Sequence, residues 1–67
     1  MTQKEEEIQK IISFIQQNPH SYASIAVCRR AVDSGISTVT NSVIEELKRQ
    51  LIEADENEIE AYYTIVM

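Results

Sequence analysis

His20 and Cys28 are the lone histidine and the lone cysteine of the 67-residue chain. With the carboxylates, they are the side chains whose types could ligate a metal or attack a substrate. Their spacing argues against both. A zinc site needs three or four Cys, His or acidic ligands converging on one point. His20 follows Pro19 in an expected turn, eight residues before Cys28 on an expected helix. A nucleophilic cysteine needs a base or cation to lower its pKa. Cys28 stands among Ala26, Val27 and Ala31, the setting of a small buried hydrophobe. There is no glycine-rich phosphate loop and no Ser/His/Asp set. The carboxylates are patterned toward solvent, the wrong setting for a raised pKa. The chain reads as a non-enzymatic protein with no metal and no cofactor.

The remaining chemistry is charge. Eleven acidic and six basic residues leave a net charge of −5, the wrong overall sign for a nucleic-acid binder, whose affinity comes mostly from Lys and Arg. Placement therefore matters more than the sum. Arg29-Arg30 and Lys48-Arg49 form two short basic pairs that could hold a phosphate or neutralise nearby carboxylates. Glu53, Asp55, Glu56, Glu58 and Glu60 crowd one stretch with no Lys or Arg among them. That stretch is either a solubilising turn or an acidic surface for a basic partner.

Size and composition bound the elements that position these groups. The chain is long enough for one domain, residues 1–67, with a modest core and little room for a deep cleft. Apolar residues at 43% and charged residues at 25% are globular, not disordered, values. No apolar run reaches membrane-spanning length, and the start (Lys4, Glu5, Glu6, Glu7) is too charged for a signal peptide. A single cysteine forms no intrachain disulfide, which suits a reducing cytoplasm.

Helical spacing of Ile8, Ile11, Ile12 and Ile15 predicts a first helix over about 3–17, opened by the capping box Thr2–Glu5 and closed by Asn18-Pro19. A second lies within 21–33. Tyr22, Ala23, Ile25, Ala26, Val27, Cys28, Ala31 and Val32 cover most of its circumference, which predicts a central, buried element whose wettest side is Arg29 and Arg30. Gly35, free to adopt a left-handed conformation, is expected to stop it. A third helix is expected from about Thr38 to Gln50, with Ser37 as its N-cap. Ile36, Val39, Val43 and Leu47 would share one face, and Thr38, Asn41, Ser42, Glu45 and Arg49 the other. The tail fits two patterns. As a hairpin, 50–54 and 58–66 are arms about the turn Asp55-Glu56-Asn57, with Ile59, Ala61, Tyr63 and Ile65 alternating with polar neighbours. As a continuing helix, Leu47, Leu51, Ala54, Glu58, Ala61 and Ile65 form a stripe. The β-branched and aromatic content of 62–66 favours strand.

Gly35-Ile36-Ser37, Thr38-Val39-Thr40, Leu47, Leu51-Ile52-Glu53 and Ala61-Tyr62-Tyr63-Thr64-Ile65 together resemble the second half of winged helix-turn-helix regulators. Gln50 stands where that family carries a helix-breaking glycine. The resemblance implies an α+β, mostly α, fold: three helices with a C-terminal two-stranded β-hairpin, the wing. The expected core is Ile8, Ile11, Ile12, Ile15, Ile25, Ala26, Val32, Val39, Val43, Leu47, Leu51 and Tyr63. The resemblance further implies a DNA-binding regulator that reads the major groove with the third helix, through Thr38, Asn41, Ser42, Lys48 and Arg49, with Arg29 and Arg30 on phosphates. Pairing of two copies is expected, with an exposed tyrosine of Tyr62/Tyr63 and Phe14 as one candidate patch. The alternative is an acidic protein-interaction module that does not bind DNA, meeting a basic partner through Glu53, Asp55, Glu56, Glu58 and Glu60, in the manner of an antirepressor or an inhibitor of a nucleic-acid-binding protein.

Overall fold

A computed structural model of the protein describes residues 3–66. Among them are four helices, α1 Gln3–Gln17, α2 Tyr22–Ala31, α3 Asn41–Glu53 and α4 Glu56–Val66, and no strand. α1 packs on α3 and α4, and so does α2; α1 meets α4 most extensively, while α1 and α2, like α3 and α4, barely touch. One core lies between them, in a body of 30 × 19 × 18 Å. No helix among the described residues is long and apolar enough to cross a membrane.

α1 follows its isoleucine stripe. Ile11 and Ile15 are fully buried and Ile12 nearly so, while Glu5 and Glu6 in the first turn suit the helix dipole. Thr2, the expected cap, lies outside the described residues. At the far end, the Asn18 backbone and side-chain N–H groups both donate to the Phe14 carbonyl, at 2.9 and 3.1 Å. The Asn18 carbonyl in turn accepts from the Ser21 N–H (3.1 Å) and the Ser24 hydroxyl (2.6 Å). Ser24 is completely buried, and this bond satisfies it. Ser21 caps α2 by accepting from the Ala23 N–H.

α2 corrects the expectation of burial all round. Ser24, Val27 and Cys28 face the core, but Tyr22 is 87% exposed. Gly35 has no positive φ and is not a left-handed cap. The helix ends instead as Val32 and Asp33 donate to the Cys28 carbonyl, and the Asp33 carboxylate receives the Gly35 N–H.

Residues 32–40 run without helix, so α3 starts at Asn41 rather than at Thr38. Thr38, Val39 and Thr40 are β-branched and favour extended backbone. Val39 is drawn into the core from that segment, and Thr40, not Ser37, supplies the N-cap by accepting from the Val43 N–H. Ile44, Leu47 and Leu51 are the buried stripe of α3.

The expected wing is absent. Asp55 is not a hairpin turn but the N-cap of α4: its carboxylate accepts the Glu58 N–H at 2.8 Å and its carbonyl the Ile59 N–H at 3.1 Å. Glu56 and Glu58 occupy the first turn, favourable to the dipole. Ile59, Tyr62 and Val66 are buried, with Tyr63 half-buried, a spacing of three and four that only a helix brings to one side. Neither a β-ribbon nor an unbroken extension of α3 forms, because the chain breaks at 54–55 and restarts. The α+β winged-helix expectation therefore gives way to an all-helical bundle. The core shifts with it: Tyr62 replaces Tyr63 and Ile44 replaces Val43, while Val27, Cys28, Ile59 and Val66 join. Ile8, Ile25, Val32, Val43 and Tyr63 pack at its margin, and Ala26 is half-buried outside it.

Candidate interaction surface

The turn at 54–55 brings the end of α3 and the start of α4 to one corner. Glu53, Asp55, Glu56, Glu58 and Glu60 are all exposed there. Their roles divide. Asp55 is committed to its cap, and Glu58 accepts the Tyr62 hydroxyl at 2.9 Å. The carboxylates of Glu53, Glu56 and Glu60 make no hydrogen bond or ion pair among the described residues, and Glu56 and Glu60 share one stripe of α4 at i, i+4. Ile52, immediately before Glu53, is 66% exposed.

Beside this corner a polar cleft of about 270 Å³ is lined by Arg30, Gln50, Glu53, Glu58 and Tyr62. The Arg30 guanidinium lies 5.7 Å from the centre of the Tyr62 ring, within cation–π range. Burial chiefly, then the Glu58 hydrogen bond and charge, hold the Tyr62 phenol above its ordinary pKa, with Arg30 pulling partly the other way. A phenol kept protonated beside an exposed carboxylate supplies neither a nucleophile nor a general base near neutrality.

The basic residues are dispersed and engaged. The Arg29 Nε–H donates to the Ile36 carbonyl at 2.6 Å, holding the 32–40 segment to α2. Arg49 pairs with Glu46 at 3.5 Å on the surface of α3. Lys4 donates to the Ile52 carbonyl at 3.1 Å, meeting an orphan acceptor in the last turn of α3. Lys10 lies over the Tyr63 ring at 5.8 Å. Lys48 lines a groove between α1 and α3, floored by Ile8, Ile12 and Ile52. Arg29 and Arg30 line a different groove on α2, so the two basic pairs do not merge into one patch.

Of the residues expected to read DNA, Asn41, Ser42, Lys48 and Arg49 lie on α3 with Glu45 among them, while Thr38 lies off the helix. The link from α2 to α3, residues 32–40, is far longer than the 3–4-residue turn typical of a helix-turn-helix. Cys28 is fully buried and its thiol is pushed up by that burial, the opposite of activation. No group of three potential metal ligands occurs among the described residues. Tyr22, counted in the sequence among the buried apolar residues of the second helix, is exposed, and the exposure of Ile52 was not anticipated. Ile52 stands one place beyond the buried Leu51, and Tyr22, the first residue of α2, projects beyond the face that Ser24, Val27 and Cys28 bury. No family model, curated protein or solved structure matches the chain.

Proposed function

We infer that the protein is a non-enzymatic interaction module that meets a basic partner through the acidic corner of α3 and α4. The observation that carries this reading is the division of charge. Five of the six cations are tied to a carbonyl, a ring or a neighbouring carboxylate of the protein itself. Three carboxylates, Glu53, Glu56 and Glu60, stand free together at one corner. Their field steers positively charged surfaces toward this end and repels phosphates. A nucleic-acid-binding face of another protein has the matching chemistry, so blocking or recruiting such a protein is the role that fits best. The single buried thiol suits a reducing cytoplasm. DNA recognition by α3 has less support: no wing accompanies it, Glu45 lies on the same surface, and its cations are scattered.

The test is affinity capture from nuclease-treated host extract with the natural chain and with the double variant Glu56→Lys/Glu60→Lys. Both side chains are exposed and uninvolved in caps, so the variant loses only the dipole contribution of Glu56, about 0.3–1 kcal/mol, and circular dichroism checks that it keeps its fold. A basic protein retained by the natural chain and lost by the variant is the expected result. Equal retention by both would overturn the acidic contact surface. A duplex retarded by micromolar protein at about 50 mM salt would return the DNA reading instead.

A further inference from the structure

The outer side of α2 carries a stripe that the proposed function does not use. Tyr22, Ile25, Ala26 and Arg29 follow one another at i, i+3, i+4 and i+7, and with Arg30 they line a shallow groove of about 320 Å³. Tyr22, at 87%, is the most exposed large apolar side chain among the described residues. The inner side of the same helix, Ser24, Val27 and Cys28, packs into the core, so this stripe lies on the outer side, with Tyr22 and Arg29 exposed, Ala26 half-buried and Ile25 half-buried at its edge against the core.

We propose that the stripe is a self-association surface on which two copies pair through antiparallel α2 helices. The argument is its internal symmetry. A two-fold interface must be self-complementary, each residue i meeting j while j meets i. An axis midway between Ile25 and Ala26 sets Tyr22 of one copy opposite Arg29 of the other, and Ile25 opposite Ala26. A span of seven residues at 1.5 Å each separates the two Tyr–Arg pairs by about 10.5 Å along the helices. Each pair joins an aromatic ring to a guanidinium, the more common cation–π partner. Arg29 gives one N–H to Ile36, which leaves four of its five donors and its planar face for a partner. At the axis, Ala26 is small enough to let two helices approach closely while the Ile25 side chains pack across it.

One helical stripe covers less than the roughly 1,200–2,000 Å² that stable complexes bury, so the dimer is weak and forms at high concentration. It closes on itself and leaves the α3/α4 corner free in both copies, so its failure and that of the acidic-corner reading show in different experiments.

Sedimentation velocity and amide chemical shifts of the full chain, followed from about 10 µM to about 1 mM, test the proposal, a range that detects binding of only some 4–7 kcal/mol. The sedimentation coefficient should rise toward that of a dimer, with concentration-dependent shifts confined to 22–30. Tyr22→Lys sets like charges opposite each other and should weaken pairing at least about tenfold. Ile52→Lys, also an exposed apolar position but on another helix, should leave it unchanged. A chain that stays monomeric throughout, a dimer indifferent to Tyr22→Lys, or shifts centred on another helix would each overturn the proposal.

Discussion

Two buried protons make the protein sensitive to alkali. Cys28 and Tyr62 both ionise less readily than their ordinary values of 9.0 and 10.0, each chiefly through burial. The native state therefore holds protons that the unfolded state releases. Their contribution to stability is complete below the unfolded values and is lost as pH climbs through the raised folded ones. The denaturant midpoint should decline above about pH 9, and Tyr62→Phe should flatten the phenol's share of that decline. The same substitution removes the bond to Glu58 and should cost about 1 kcal/mol, since an exposed carboxylate recovers water in its place. A midpoint that rises with pH in that range would contradict the burial of both groups. A thiol reagent should modify Cys28 only at the rate at which the protein opens.

Among the helices, α4 depends most on a single side chain. Eleven residues make a marginal helix in isolation, and with its tertiary face supplied by Ile59, Tyr62 and Val66 its start is set by Asp55. Asp55→Ala should destabilise the protein by about 1 kcal/mol in urea unfolding, and Asp55→Asn by much less, because Asn caps nearly as well. Equal stability of the alanine variant would mean that the cap does not govern this end. The stretch from Asp55 to Glu58 has the residue pattern of a capping box, yet Glu58 turns to Tyr62 instead of back to the cap. That pattern is written in the sequence. A hairpin turn at Asp55-Glu56-Asn57 claims the same residues, and the choice between them requires knowing whether the following apolar residues are used at period two or at period 3.6.

The molecule as a whole has little stability in reserve. A chain of 67 residues buries a small core, and folded domains stand only about 5–15 kcal/mol from unfolding. Leu47, fully buried on α3, should cost about 2–5 kcal/mol when changed to Ala, enough to leave much of the population unfolded near 37 °C. Ile52→Ala, five residues on, should stay within about 0.5 kcal/mol. Circular dichroism during thermal unfolding reads both, and similar losses at the two positions would deny that they occupy different surroundings.

Much was legible from the order of residues alone. The isoleucine stripe of α1, its stop at Asn18-Pro19, the Ser21 start of α2 and the burial of Leu47 and Leu51 on α3 are local matters, governed by spacing and caps within a turn or two, whereas the expected Val43 face gave way to Ile44 once the helix began at Asn41. Residues 56–66 were different. Ile59, Ala61, Tyr63 and Ile65 satisfy a strand, while Ile59, Tyr62, Tyr63 and Val66 satisfy a helix, so local pattern alone could not choose. The choice came from the surface that α1 and α2 offer to α4, which accepts a rod with one apolar side. Long-range packing likewise tied Lys4 to Ile52, 48 positions away. Periodicity says which residues of an element belong together, but which neighbour they meet depends on parts of the chain that lie far away in sequence.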